Sequence, residues 1–350
     1  MRLTAFFHPL ATLASVTMLA ALSLAGCGGT TPARPDAGTQ PALSSSAPPV
    51  RIGIALGGGA AKGFAHIGVI KMLEANGFAP AVVSGTSAGS VVGALYASGM
   101  NAFDMQEKAV ALDEAKIRDL QLSSGGLVLG QKLEDYVNEQ VRRKPLEQMA
   151  KPFVVVATRL EDGERTVFAR GNTGQAVRAS SSVPGVFQPV TIGKYHFVDG
   201  GIVSPVPVDA ARQLGADIVI AVDISNKARG QTPGDMLGTL GQSIAIMGQK
   251  LGQAELARAD VIIRPQVLDI GSADFSQRTN AILEGEKAAL AVMPQIRERV
   301  AQLQAERANA ARAAQQKAAE AQYQTCLEKR SSLQKLAGMA RLDDSCTAPK

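Results

Sequence analysis

Three stretches hold residues whose types and spacing can do chemistry. "VVSGTSAGSVVG" (Val82–Gly93) sets Ser87 in a Gly-x-Ser-x-Gly frame. "YHFVDGGIVSPVPVD" (Tyr195–Asp209) places Asp199 directly before Gly200 and Gly201. "LGGGAAKG" (Leu56–Gly63) is a glycine-rich run. The serine frame alone carries little weight, because this glycine and serine content yields it by chance with probability roughly 0.2. Its context carries more. An apolar strand-like run precedes Ser87 and a small-residue helix-like run follows, which is where a nucleophile elbow belongs. The N-terminus of that helix favours developing negative charge. The amide of Ala88 is next in the chain and placed to donate to an oxyanion.

A serine hydroxyl needs a base to become a nucleophile. The chain has three histidines, His8, His66 and His196. His8 falls in an N-terminal export signal. His66, in "GFAHIGVI", sits between apolar residues and reads as a packing or hydrogen-bonding side chain. His196 precedes Asp199 on the same strand. No histidine follows the candidate acids late in the chain, so a Ser…Asp…His order is missing. Asp199, at a strand end and before two glycines, is the alternative base; a structural turn aspartate is the competing reading.

The glycine run fails two phosphate motifs. Counting from Gly57, a dinucleotide fingerprint needs glycine where Lys62 stands, and a P-loop needs Gly-Lys-Ser/Thr where Gly63 leads into Phe64. What remains is a set of backbone N–H groups from Gly58 and Gly59, with Lys62 nearby, suited to an oxyanion.

The elements that must position these residues alternate. Strands are expected at Arg51–Leu56, Val82–Ser84, Pro152–Leu160, "RTVFA", "YHFVD", "DIVIAVDIS" and "DVIIRP". Helices are expected at Phe64–Asn76, Ser87–Ser98, Gly174–Ser180, Val206–Leu214 and Asp235–Ala257. Such alternation implies an α/β fold with a mostly parallel central sheet flanked by helices. Residues 102–150 hold two amphipathic helical runs that could cap the site. From about Asn280 the chain becomes Ala-, Gln-, Glu- and Arg-rich with a weak apolar stripe. This predicts an Ala-rich C-terminal helical extension, either solvated and loosely docked or a partner-binding arm.

"GGGAAKG" (Gly57–Gly63), "GTSAG" (Gly85–Gly89) and "DGG" (Asp199–Gly201), in this order and spacing, resemble the patatin-like phospholipase family. "ASSSVPGVFQPV" (Ala179–Val190) resembles a further family segment, and the likeness runs from about Arg51 to Pro265. The resemblance implies a patatin-like α/β fold and acyl-ester hydrolysis on phospholipids or lysophospholipids by a Ser–Asp dyad. It assigns Ser87 as nucleophile, Asp199 as base, and Gly58, Gly59 and Ala88 as oxyanion donors. Lys62 and Arg178 are candidate contacts for a phosphate head group. Many relatives carry a further glycine where this chain has Ala60, a departure from the family pattern inside the expected donor loop. No metal or organic cofactor is required. A thioesterase or soluble-ester esterase of the same dyad, and a non-catalytic envelope scaffold, stay open as alternatives.

Composition narrows the setting. The chain has 350 residues, 46% hydrophobic, 4% aromatic, with a formal net charge of +5. It has no dense basic run and few aromatics to stack bases, which argues against nucleic acid. Arg2, the apolar run Ala11–Leu24 and "LAGC" (Leu24–Cys27) read as a signal peptide over 1–26, too short to span a bilayer. "LAGC" resembles a bacterial lipobox, which implies acylation at Cys27; an ordinary signal peptide with an incidental cysteine is the alternative. Gly28 and Gly29 after it suggest the outer membrane, facing the periplasm. Residues 27–50 read as a disordered tether, spanning at most roughly 75 Å for 28–50. A catalytic domain is expected over 51–280 and the helical extension over 281–350. In an exported chain Cys326 and Cys346 are a candidate disulfide, with two free thiols as the alternative.

Overall fold

Unbroken runs of apolar, often β-branched residues form the middle of the sheet. They are β1 (Ile52–Leu56), β2 (Val82–Thr86), β3 (Phe153–Arg159) and β7 (Ile218–Val222), and almost every residue in them is buried. Strands covered on both faces need no alternation of polar residues. The computed structural model describes residues 48–114, 117, 119, 128–225, 227, 234, 236–337 and 346–348. The expected signal peptide, lipidation site Cys27 and most of the expected tether lie outside the described residues.

β1 lies between β2 and β7 in parallel register, β2 pairs in parallel with β3, and β7 with β8 (Val261–Ile263). Three antiparallel pairings complete the 8-stranded sheet, among β3, β4 (Arg165–Phe168), β5 (Val190–Ile192) and β6 (Tyr195–Asp199). The chain is thus an α/β protein with a mostly parallel central sheet, as the alternation implied.

Alternate strand residues feed two cores. Ile52, Ile54, Leu56, Ile220 and Val222 face a large apolar cluster with α1 (Phe64–Ala75), α2 (Ala88–Ala97) and α3 (Ala102–Val110). Ala55, Val219 and Ala221 face a smaller one with α6 (Val208–Gln213) and the end of α7 (Met236–Leu256). Helices α4 (Gln131–Gln140) and α5 (Thr173–Ser180) pack beside β3 and α2.

The last helix, α8 (Arg278–Ala337), is 60 residues long, about 90 Å at 1.5 Å per residue. Its two parts behave differently. Ala281, Ile282, Ala289, Met293 and Ile296 are buried in the large core, and Val300 packs against it. No residue from 301 to 332 is buried. The expected boundary at 280/281 therefore falls inside a packed helix, and the compact body runs on to about residue 300. The reason is α1. Ala65, His66, Ile67, Gly68, Val69 and Ile70 are all buried, so α1 needs cover on its outer side as well as the sheet. α8 supplies it at very close range. A Cβ at Gly68 would sit 2.0 Å from the Ile282 carbonyl oxygen, and one at Gly285 2.0 Å from that of Ala65. A stripe built from alanine and glycine looks weak by hydrophobicity, yet it suits backbone-to-backbone contact. Beyond the body, Cys326 and Cys346 are disulfide-bonded. Among the described residues no helix is long and apolar enough to cross a membrane.

Candidate active site

The register of β3 explains how Ser87 and Asp199, far apart in sequence, meet. β2 runs parallel to the first half of β3, ending with Thr86 beside Val156. β6 runs antiparallel to the second half and ends with Asp199 beside Ala157. β4 occupies the opposite edge across residues 155–158. β2 and β6 therefore share one edge of β3 and approach end to end, bringing their C-terminal residues together. Ser87 Oγ donates to Asp199 Oδ2 at 2.6 Å.

Each side of this corner is held by backbone contacts. Ser87 joins β2 to α2 at φ 52° and ψ −124°, a conformation costing a residue with a Cβ about 1–3 kcal/mol. Its N–H donates to Ser180 Oγ at 2.8 Å, and its carbonyl accepts from Ser90 N–H at 2.8 Å and Ser90 Oγ at 2.6 Å. Ser180 Oγ donates in turn to the Val156 carbonyl at 2.5 Å. Asp199 N–H donates to the Ser182 carbonyl at 2.9 Å, and Thr158 Oγ1 donates to the Asp199 carbonyl at 2.8 Å. The second carboxylate oxygen, Oδ1, accepts Gly201 N–H at 2.7 Å. The glycines flanking the pair permit close approach: a Cβ at Gly89 would lie 2.1 Å from the Leu56 carbonyl oxygen, and one at Gly200 2.2 Å from that of Val156.

Both side chains are nearly buried, Ser87 8% and Asp199 7% exposed. Burial pushes the Asp199 carboxyl up to about 6, against the hydrogen bonds from Ser87 and Gly201 that favour its charged form. A carboxylate with raised affinity for a proton, 2.6 Å from a hydroxyl, is suited to accept that proton.

The glycine run leaves β1 and curls past the serine. Gly57 N–H donates to the Val222 carbonyl at 3.1 Å and Gly58 N–H to that of Pro205 at 3.0 Å. The latter bond removes Gly58 from the expected oxyanion donors, because its single N–H is committed to the fold. The N–H groups of Gly59 and Ala88 have no partner among the described residues, and both residues line the same cavity as Ser87. Ala60 takes φ 53°, a left-handed conformation that glycine adopts at less cost.

His66 braces this loop from below. Its Nε2 lies 2.8 Å from the Gly57 carbonyl oxygen. A carbonyl only accepts, so Nε2 carries the proton. Complete burial holds the imidazole down to about 4, against the Gly57 bond and the charge of Asp223. It is a neutral donor to the loop, in keeping with the hydrogen-bonding reading. His196 is distant from this chemistry and bonds Glu161 through Nδ1 at 2.8 Å.

Two further sequence candidates are placed elsewhere. Lys62 is 2% exposed and does not line the cavity. Arg178 spends its guanidinium on the Leu129 carbonyl (3.1 and 2.7 Å), Gln131 (2.7 Å) and Glu134 (3.1 Å), fastening the start of α4 to α5. Ser180, Ser182 and Glu255 stand in no local motif that marks them as functional, and their roles emerge only from the tertiary contacts. Glu255 is a buried carboxyl on α7, held by Ser204 and Val206.

Above the dyad opens a cavity of about 710 Å³. Ile67, Val91, Leu95, Val183, Phe187 and Ile244 are among its apolar walls. Met105 and Ala109 of α3 and Leu133 and Tyr136 of α4 close part of it, which gives the 102–150 region a place over the site. Among the described residues no group of three or more His, Cys, Asp or Glu is disposed to hold a metal.

Residues 54–212, a little under half of the chain, match the family model of patatin-like phospholipase. It is 35% identical over 188 residues to an uncharacterized NTE family protein of Mycobacterium tuberculosis, covering 53% of this chain and 52% of that one. It is 30% identical over 181 residues to a lysophospholipase of Pyricularia oryzae, covering 50% of this chain and 12% of that one. The chain thus spans about half the length of the mycobacterial relative and a small part of the fungal one. The fold is similar to that of VipD from Legionella pneumophila, with a TM-score of 0.50 and 16% identity over 71% of this chain and 67% of that one.

Proposed function

We propose that the protein is a serine acyl hydrolase that cleaves fatty-acyl esters of phospholipids or lysophospholipids. The observation that carries this reading is the 2.6 Å bond from Ser87 Oγ to a buried carboxylate, made at the wall of an apolar cavity of about 710 Å³. That volume lies within the range of ligand-binding pockets, and its walls suit an acyl chain better than a polar alcohol. The family match and the relative named as a lysophospholipase support the same substrate class.

Ser87 Oγ attacks the ester carbonyl carbon as its proton passes to Asp199 Oδ2. Negative charge moves to the carbonyl oxygen, where the N–H groups of Gly59 and Ala88 and the start of α2 receive it; each preorganised donor is worth on the order of 3 kcal/mol. The tetrahedral adduct collapses, the C–O bond breaks, and Asp199 returns the proton to the leaving alcohol. Water then attacks the acyl-serine, Asp199 takes its proton, and the fatty acid leaves as Ser87 is reprotonated. The scheme balances without a further reactant.

Cys27 carries the lipid anchor and tethers the body at the cell envelope, at the outer membrane facing the periplasm. The exposed part of α8 is the surface offered to a protein partner.

The deciding experiment is labelling by a fluorophosphonate probe beside Ser87→Ala, with lysophospholipid, thioester and short-chain ester turnover measured in parallel. Labelling and turnover lost together in the variant, with lysophospholipid the best substrate, is the expected result. Turnover that survives in Ser87→Ala overturns the assignment. For the anchor, Cys27→Ser should release the protein from the membrane fraction; retention there counts against acylation.

A further inference from the structure

Glu255 sits in the last turn of α7, beyond residue 212 where the family match ends. It is 5% exposed and makes no ion pair among the described residues. Burial pushes its carboxyl up to about 7. A buried carboxyl without a direct ion pair is costly unless its oxygens are satisfied; the charge of Arg165 offsets part of that cost, and both oxygens are satisfied. Ser204 Oγ donates to Oε1, and Val206 N–H donates to Oε2 at 2.8 Å.

The segment gripped in this way, Ser204–Pro207, is where the three parts of the active site converge. Ser204 N–H donates to the carbonyl of Gly200, the residue after Asp199, at 2.8 Å. The Ser204 carbonyl accepts from Oγ1 of Thr86, the residue before Ser87, at 2.8 Å. The Pro205 carbonyl accepts Gly58 N–H at 3.0 Å, which anchors the glycine run beside Gly59. The Pro207 carbonyl accepts Ser84 Oγ at 2.8 Å. One short segment thus ties together the elbow, the oxyanion loop and the aspartate turn, and Glu255 holds that segment from the far side.

We propose that Glu255 is a positioning residue for the dyad, setting the spacing of Ser87, Asp199 and Gly59 through Ser204–Pro207 without touching substrate. The proposal rests on the dyad reading above. It makes α7 part of the reaction's machinery, since the same helix lines the cavity with Gly241, Ile244, Ala245 and Gly248.

The test uses the full chain with Glu255→Met and Glu255→Gln. Methionine keeps the volume and removes both acceptors. The change strands two buried donors, Ser204 Oγ and Val206 N–H, at about 1–3 kcal/mol each, against a total stability of about 5–15 kcal/mol, so the folded state should persist with a lowered Tm. Glutamine keeps one acceptor for Val206 N–H, and its amide can donate to Ser204 Oγ. For Glu255→Met, kcat on a short-chain ester should fall about 10- to 100-fold with KM within about twofold, because small misplacements at a reacting centre have effects of that size. Fluorophosphonate labelling should slow in proportion. Glu255→Gln should recover kcat to within about threefold of wild type. Hydrogen exchange gives a readout that needs no turnover: the bonded amides of Gly57, Gly58, Val203, Ser204 and Val206 should exchange faster in Glu255→Met and not in Glu255→Gln.

Unchanged kcat and unchanged exchange in Glu255→Met overturn the proposal. So does a loss of activity that follows only the fraction unfolded, or an equal loss in both variants. Ser87→Ala, run alongside, separates the two levels. Turnover that survives in it defeats the dyad reading, while exchange still decides whether Glu255 holds the segment.

Discussion

The corner that joins Ser87 to Asp199 and the seam that joins α1 to α8 both bring backbone close to backbone, in opposite ways. At the seam, Gly68 and Gly285 remove the side chains, and two helices touch through what is missing. Polar bonds there lie at the margins, such as Lys71 to Glu286 at 2.8 Å. At the corner, side chains are kept and the backbone is strained, with Ser87 at φ 52° and Ala60 at φ 53°. Hydrogen bonds with Ser180, Ser182, Thr158 and Gly201 offset that strain. The seam should therefore tolerate lost polarity but not added volume. The corner should tolerate isosteric replacement structurally while losing its chemistry.

Asp199→Asn applies that contrast at its strongest. Asparagine fills the same space and can still accept from Gly201 N–H, but it cannot take a proton from Ser87. Turnover should fall by about 10³-fold or more, measured as kcat/KM on a short-chain ester. Stability should move the other way. The folded carboxyl titrates at about 6 against 3.8 for the ordinary group, so between those values the folded state holds more protons than the unfolded state. The stabilising effect of protonation is full below pH 4 and is lost as pH rises through about 6. At pH 7 the ionised carboxylate therefore carries a penalty on the order of 2–3 kcal/mol. Asp199→Asn should raise Tm at pH 7 and leave it unchanged near pH 3.5. The same titration gives wild-type kcat/KM an acid limb centred near pH 6. A limb near pH 4, or a variant that keeps substantial turnover, would place the base elsewhere.

The seam is tested by truncation and then by one added side chain. A chain ending at Ile282 loses Ala289, Met293 and Ile296 from the core. Each large apolar side chain contributes about 1.5–3 kcal/mol against a total stability of about 5–15 kcal/mol, and α1 is left uncovered. That chain should not fold. A chain ending at Ala311 keeps the buried part of α8 and Arg307, which pairs with Asp217; it should fold and keep its turnover. Folding of both truncations would mean that the α8 seam contributes little. Gly285→Val should lower stability by more than about 3 kcal/mol, at or beyond the upper end for overpacking, because its Cβ would meet a backbone oxygen that cannot swing aside. Per folded molecule, its kcat should match wild type.

The same contrast explains what was legible in the sequence. Strands such as "IGIAL" and "IVIAV" announce themselves by continuous apolar character. Ser87 and Asp199 stand in short motifs whose glycines are needed locally, so motif and geometry coincide. The oxyanion loop was legible only in part, because nothing local shows that Gly58 N–H is taken by Pro205, a partner from beyond Asp199 in the chain. Arg178 looked available for a phosphate because Leu129, Gln131 and Glu134 are separated from it by more than forty residues. The docking of α8 was hidden for another reason. Its stripe is Ala, Gly and a few larger residues, and periodicity weighs side chains where the contact depends on their absence.

The smallest effect discriminates finely between the two designs. Ala60 occupies a left-handed conformation, where a methyl group costs roughly 1 kcal/mol and glycine nothing. Glycine in turn makes the unfolded chain more flexible, which takes back part of that gain. Ala60→Gly should therefore stabilise the protein by only about 0.5 kcal/mol, a shift of a few degrees or less in Tm. If strain in this loop helps to hold Gly59 N–H against the cavity, relaxing it should lower kcat by up to about threefold while raising Tm. That sign pattern, opposite in stability and turnover, repeats at small scale what Asp199→Asn shows at large scale. A variant that loses stability would mean that the methyl packs against something worth more than the strain, and the loop would then resemble the seam rather than the corner.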